Sequence, residues 1–160
     1  MDLERALGLL DRVAAGRVAT LRVPTAVCDD PRTGTGFRQV AWLLFAEFVI
    51  GAGALGEAIA RSRSGEQLSG VVWWRLLAIF AITTTLFYFV WRARRGYWWA
   101  YSRLRLFSLV FPIVAIVSSL IPGLYPTWMV EEQVLFSVVL LVVRGLLSRP
   151  YLREAYTRPS

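Results

Sequence analysis

Histidine, lysine and asparagine are absent from this 160-residue chain, and cysteine occurs once, as Cys28. The absence of histidine excludes His-ligated haem, His-based zinc sites and histidine general bases. A single thiol forms no internal disulfide and no CxxC redox pair, which argues against a thiol oxidoreductase. We interpret Cys28 as an incidental loop residue, with a nucleophile or a lipid anchor as the alternatives. The sequence therefore predicts neither a metal nor any other cofactor.

Charged residues are sparse, and every basic residue is an arginine. The 18 arginines and 11 acids give a net charge of +7 and make up 18% of the chain, against about a quarter in ordinary soluble domains. Because lysine and asparagine codons are rich in A and T, their absence favours a bacterial genome of high GC content over a chance bias. Hydrophobic residues reach 56% and occur in long blocks, which predicts a polytopic membrane protein.

Four apolar runs predict an all-α, four-helix transmembrane bundle. A helix of about 20 residues crosses ~30 Å of hydrocarbon at 1.5 Å per residue. Pro112 should kink the third helix, because proline removes a helix hydrogen bond. The predicted spans are residues 40–60, 71–91, 98–121 and 128–147, within a membrane domain of residues 39–149 that is followed by a polar tail, 150–160.

The segment before the first span has a different pattern. Residues 1–22 carry leucine and valine at helical spacing with arginines off that face, which predicts an amphipathic helix. Three surfaces fit its apolar face: the cytoplasmic membrane surface, the protein's own helix ends, or a groove of a partner protein. Residues 23–38 contain two prolines and two glycines, so we predict a linker there. We expect no signal peptide, because the first residues lack a basic segment before an apolar run.

A basic and aromatic stretch, residues 92–105, separates the second span from the third. It holds five arginines, four tryptophans or tyrosines and no acid. Such a composition is typical of a cytoplasmic membrane interface, and each arginine there attracts anionic headgroups by about 1 kcal/mol. We therefore predict binding of anionic lipid and not of nucleic acid. The predicted headgroup residues are Arg92, Arg94, Arg95, Trp98, Trp99, Arg103 and Arg105.

Arginine counting predicts the orientation of the bundle. With both termini in the cytoplasm, the inner segments hold 15 of the 18 arginines, and only Arg61, Arg63 and Arg75 lie toward the outside. The positive-inside rule therefore favours an inner-membrane protein with its N-terminus and C-terminus both cytoplasmic.

Ionisable residues inside the predicted spans are the candidates for function, because burying them is costly. We predict two polar pairs, Glu47 with Arg144 and Glu57 with Arg75, with Arg103 or Arg105 as rival partners for Glu47. One interpretation is that these pairs only fix the helix register. The other is that Glu47 or Glu57 lines a polar cavity that binds a proton or another cation. A catalytic role ranks lowest, because no histidine or nucleophile is spaced to assist.

Two further sets of residues have simpler interpretations. Gly51, Ala52 and Gly56 form a small-residue face that allows close helix packing. We expect this packing within the chain, with a homo-oligomer contact as the alternative. Glu131 and Glu132 begin the fourth span, where acids favour the helix dipole. We interpret both as solvated, with weak binding of a divalent cation as the alternative.

Three hypotheses of function follow from these observations. The first is a non-enzymatic accessory or scaffold subunit of a membrane assembly, with protein partners or copies of itself. It predicts fully paired acids and no cavity. The second is a small transporter or channel subunit that uses an intramembrane carboxylate, and it predicts a cavity that reaches Glu47 or Glu57. The third is a lipid-modifying enzyme, which requires a polar opening at headgroup depth.

Overall fold

A computed structural model describes residues 21–24 and 30–157, and the chain there is helical apart from short connections. Its helices are α1 (Pro31–Arg63), α2 (Gly70–Arg94), α3 (Trp98–Ser119), α4 (Thr127–Leu147) and α5 (Pro150–Ala155). The predicted amphipathic helix lies outside the described residues except at its end, where Leu21 and Arg22 are not helical and Arg22 forms an isolated bridge with Tyr97. Cys28 also lies outside the described residues.

Three helices, α1, α2 and α3, are long and apolar enough to cross a membrane. The chain is therefore an all-helical membrane protein, as the apolar runs predict. The helix α4 has 21 residues, which is enough to span. It lacks a weakly charged stretch like those of α1, α2 and α3, because every run of about 18 residues in α4 includes Glu131, Glu132 and Arg144.

The first helix begins at Pro31, inside the stretch that we predicted to be a linker. The backbone N–H of Arg32 donates to the side chain of Asp30 at 2.8 Å, so Asp30 caps a helix whose first residue is proline. Proline is favoured at this position, because its missing N–H would be unpaired there anyway. Gly36 lies against Tyr151 of α5, so this glycine permits a close helix contact and does not end the helix.

The four long helices pack as a ring in which each helix contacts its two neighbours in the chain, and α1 closes the ring against α4. Two groups of buried apolar residues fill the interior. The surface of the ring is also apolar, with exposed residues such as Trp42, Trp74, Val114 and Val138 on all four helices. An apolar exterior of this extent is typical of a lipid-facing surface.

One end of the ring, where α2 ends and α3 begins, carries most of the arginines of the described residues, and we call it the arginine-rich end. Gly96 has a positive φ of 81° in the turn between α2 and α3, a conformation that glycine adopts without strain. The helix α5 packs on this end through Tyr156. Its hydroxyl donates to the Ala93 carbonyl at 2.6 Å, and its own carbonyl accepts from Trp98 Nε1 at 3.1 Å.

Candidate functional site

A line of polar contacts joins α3 to α4 along almost their whole length. Near the arginine-rich end, the Tyr101 hydroxyl donates to the Leu147 carbonyl at 2.5 Å, and Arg144 Nη1 donates to the Arg105 carbonyl at 2.8 Å. Toward the opposite end, Ser119 Oγ hydrogen-bonds the side-chain amide of Gln133. These contacts fix the antiparallel register of the two helices.

At the opposite end, the polar line continues into a buried ion pair between α2 and α4. Arg75 Nη2 lies 3.0 Å from Glu132 Oε2, and both side chains are about nine-tenths buried. With the Gln133 amide turned so that its oxygen faces Arg75, this oxygen also accepts from Arg75 Nε at 2.7 Å. The guanidinium lies over the ring of Tyr125 at 5.4 Å. Arg75 is thus held by three groups on α4 and on the connection before it.

Glu47 lies at the midpoint of α1, about 24 Å from either end, and it is completely buried. Neither of its carboxylate oxygens has a hydrogen-bond partner among the described residues. The carboxyl group of Glu132 is close enough to act electrostatically on Glu47. Glu132 itself has one oxygen, Oε1, without a hydrogen-bond partner among the described residues. Two carboxyl groups with unused acceptor oxygens therefore share the bundle interior.

A hydroxyl group lies at the level of Glu47 on the neighbouring helix. Gly51 packs against Ile79 of α2. Because α1 and α2 are antiparallel, the residue one turn before Gly51, Glu47, lies level with the residue one turn after Ile79, Thr83. The Thr83 side chain is buried, and its hydroxyl oxygen also lacks a partner in the part of the chain that the structure describes. The middle of the bundle thus contains unpaired acceptors and a hydroxyl, which is the chemistry of a proton or small-cation site.

A cavity of about 360 Å³ lies between α2 and α3, with α4 behind it. Its walls are mostly apolar, including Trp74, Ile79 and Phe111, and its polar groups come from Arg75 and Gln133 together with Ser118 and Tyr125. The Arg75–Glu132 pair therefore has the cavity on one side and Glu47 on the other. Neither Glu47 nor Glu57 lines this cavity, so it does not reach either acid, which differs from what the transporter hypothesis predicts. It reaches Arg75, which is paired with Glu132.

The two predicted ion pairs are not formed, because each charged group has a different neighbour. Arg61 Nε lies 2.7 Å from Glu57 Oε1, one turn away on the same exposed helix face. Arg75 forms its ion pair with Glu132. Glu132 is therefore buried and paired, which differs from the solvated position predicted for it. Arg144 donates to a backbone carbonyl and makes no ion pair with Glu47.

The predicted small-residue face is divided between the interior and the surface. Gly51 is buried, and a Cβ atom there would lie 3.2 Å from Ile79, so this glycine serves packing within the chain. Ala52, Gly53 and Gly56 are exposed, and a Cβ atom on Gly53 or Gly56 would meet nothing within 4 Å. These three residues leave an open strip on α1.

The predicted headgroup residues are divided in the same way. Arg94, Arg95 and Arg103 are exposed, as expected for groups that meet headgroups. Trp98 and Arg105 are half-buried. Trp99 and Arg92 are buried, and Arg92 lies over the rings of Trp91 and Tyr97. The turn between α2 and α3 folds these two side chains into the protein, whereas headgroup contact stays a prediction for the whole set.

Glu132 is the functional candidate that the sequence analysis missed. The buried residues of α4 recur every three or four positions, at Met129, Phe136 and Leu140. Glu132 falls on this stripe and Glu131 falls off it, so helical periodicity distinguishes the two acids.

Comparison of the chain with protein-family models, with curated proteins and with solved structures finds no match in any of the three.

Proposed function

We propose that the chain crosses the bacterial inner membrane four times, with both termini in the cytoplasm. The support for α4 as a span is its outward face, where Val134, Leu135, Val138, Leu141 and Val142 are exposed and suit contact with lipid. Its membrane-embedded acid, Glu132, faces inward and is neutralised by Arg75. The support for the orientation is the concentration of arginine at one end of the bundle.

The topology is tested by accessibility to a membrane-impermeant maleimide in intact cells. In a Cys28→Ser background, Ser64→Cys places a thiol in the α1–α2 connection, and Ser148→Cys places one between α4 and α5. We expect labelling of the first thiol in intact cells and of the second only after lysis. The reverse pattern would contradict the orientation, and labelling of both in intact cells would contradict the fourth span.

We further propose that the protein is a small transporter or channel subunit that binds a proton or a small cation at Glu47. The observation that carries this proposal is that both Glu47 oxygens are buried without a partner among the described residues. An unpaired carboxylate at mid-membrane costs several kcal/mol, which a bound proton or cation removes. A carboxylate that only fixes the helix register needs a polar partner on another helix. Such a role therefore does not account for the burial of Glu47.

The neighbouring groups suggest a route to this position. A proton that enters from the cavity first meets the Arg75–Glu132 pair, and Glu132 is the carboxyl group that acts on Glu47. Transfer between the two carboxyl groups moves a proton from the cavity side to the middle of the bundle. Thr83, level with Glu47, offers a hydroxyl that both donates and accepts hydrogen bonds.

None of the cavity-lining residues is Asp, Glu, Cys or His, so we propose no enzymatic activity.

Proton flux into liposomes tests this proposal. The purified protein is reconstituted with a pH-sensitive dye inside, and a pH gradient is applied. We expect flux with the wild-type chain, its loss in Glu47→Gln and its retention in the matched control Glu57→Gln, because Glu57 is an exposed acid of the same helix. Equal flux in the two variants would contradict the role of Glu47.

A second candidate function is that of an accessory subunit. It is favoured by the open strip of α1 formed by Ala52, Gly53 and Gly56, because small residues permit close contact with another membrane helix. Purification in mild detergent followed by mass spectrometry tests it. Co-elution of other subunits in fixed ratio supports an accessory role, and a homo-oligomer without other subunits contradicts it.

A further inference from the structure

Three arginines at the arginine-rich end of the bundle lie close enough to Tyr101 for their charges to act on it. Arg105 belongs to α3, Arg144 to α4 and Arg153 to α5. The charges of all three act on the Tyr101 side chain, and those of Arg105 and Arg153 also act on Arg144. We call these three residues the arginine cluster.

The cluster has no ion-paired acid in the part of the chain that the structure describes, and Glu154, which follows Arg153 in α5, is exposed. None of the three forms an ion pair there, since the ion pairs found involve Arg61 and Arg75 only. The Tyr101 hydroxyl and one nitrogen of Arg144 are used on backbone carbonyls. Arg105 Nε is buried and has no hydrogen-bond partner among the described residues. Mutual repulsion and an unused buried donor both disfavour this arrangement unless an anion is bound.

We propose that the arginine cluster is a specific binding site for a phosphate group. Guanidinium groups present paired N–H donors that match phosphate oxygens. Arg144 Nη1 donates to the Arg105 carbonyl at 2.8 Å, and Arg153 of α5 is near enough to act electrostatically on Arg144. In the proposed orientation the cluster lies at the cytoplasmic membrane surface, where the phosphate belongs either to an anionic lipid headgroup or to a soluble phosphate compound. This site is distinct from the exposed arginines Arg94, Arg95 and Arg103, which attract anions without a built site.

The proposal is tested on the full chain in lipid nanodiscs. The nanodiscs contain phosphatidylcholine with a small fraction of phosphatidylglycerol. The protein is released from the disc, and native mass spectrometry counts the phosphatidylglycerol molecules that stay bound to it. The variants are Arg144→Gln, which removes the central member, and Arg153→Gln, which alters an exposed position of α5 and so leaves the packing of the bundle intact. The matched control is Arg103→Gln, which removes the same charge from an exposed site on α3. Arg103 attracts headgroups from the surface without a built site, so its removal should not release lipid that stays bound outside the disc.

We expect the wild type and Arg103→Gln to retain phosphatidylglycerol. Arg144→Gln should retain about tenfold less, because one charge-assisted hydrogen bond accounts for about that factor. Arg153→Gln should lose less. If both cluster variants retain lipid as Arg103→Gln does, and also bind pyrophosphate as the wild type does, the proposal is wrong. It is also wrong if Arg103→Gln loses as much as Arg144→Gln, because that result describes a diffuse basic surface.

Pyrophosphate, added at increasing concentration, distinguishes the two sources of phosphate. Release of phosphatidylglycerol only at high pyrophosphate concentration assigns the site to lipid. Binding of pyrophosphate by the wild type in pure phosphatidylcholine discs, lost in Arg144→Gln, assigns it to a soluble phosphate compound. If the wild type binds neither phosphatidylglycerol nor pyrophosphate better than Arg144→Gln does, the proposal is overturned. The site does not depend on Glu47, so these outcomes are independent of the proposed proton binding.

Discussion

Removal of Glu132 should destabilise the protein far more than removal of its neighbour Glu131. In Glu132→Gln, Arg75 loses the carboxylate at 3.0 Å and remains buried. Breaking a buried ion pair by removing one partner costs about 3–5 kcal/mol. Arg75 keeps the Gln133 oxygen at 2.7 Å and the ring of Tyr125, so we expect a value near the lower limit, about 3 kcal/mol.

The control is Glu131→Gln, because Glu131 is exposed on the same helix turn and surface changes cost about 0.5 kcal/mol or less. Thermal unfolding in detergent, followed by circular dichroism, measures the difference. For a chain of this size, 3 kcal/mol lowers the Tm by roughly 6–12 °C. Equal shifts in the two variants would refute the buried pair.

A double variant separates the ion pair from simple loss of packing. Replacing both members, as Arg75→Met with Glu132→Leu, removes the two charges together. Buried ion pairs exchanged for apolar residues of similar volume are often neutral or stabilising. We therefore expect the double variant to be more stable than Glu132→Gln. A double variant that is less stable than Glu132→Gln would show that the pair is not the source of the loss.

Three further changes test the packing of the bundle by the same thermal assay. Gly51→Leu should cost about 1–3 kcal/mol, because a Cβ atom there would lie 3.2 Å from Ile79 of α2. The control Gly53→Leu should be neutral, and equal effects of the two changes would contradict the packing of α1 on α2. Thr83→Val should be neutral or stabilising, because it removes a buried hydroxyl that has no partner among the described residues, and a loss above about 1 kcal/mol would indicate a partner. Tyr156→Phe should cost about 0.5–1.5 kcal/mol by removing the bond to Ala93, and an unchanged Tm would contradict the docking of α5.

The helices could be predicted from the sequence, because apolar blocks of sufficient length leave few alternatives in a membrane. Proline and glycine content alone predicts a linker where α1 begins, because Pro31 and Gly36 then count as helix breakers. Proline at a capped first turn and glycine at a close helix contact are compatible with a helix. The deciding residue was Asp30, whose capping bond is local and visible in the sequence.

The pairing of charges was less predictable than the helices. Glu57 and Arg61 are one turn apart and could have been paired by spacing alone. The partner of Arg75 depends on the rotation of α4 about its axis, which turns Glu132 inward. Glu47 has no basic partner in the described residues, because Arg144 reaches the Arg105 carbonyl instead. Positions along a helix follow from the sequence, whereas facing partners require the packed bundle.

The most direct test of the central claim is chemical modification of Glu47 by a hydrophobic carbodiimide in native membranes. Such reagents enter the bilayer and react with carboxyl groups that carry a proton in apolar surroundings. Peptide mass spectrometry then compares Glu47 with Glu57, which is exposed and paired with Arg61. We predict modification of Glu47 and not of Glu57, with protection of Glu47 at high pH. Absence of modification at Glu47, in a protein whose reagent access is verified, would contradict the account.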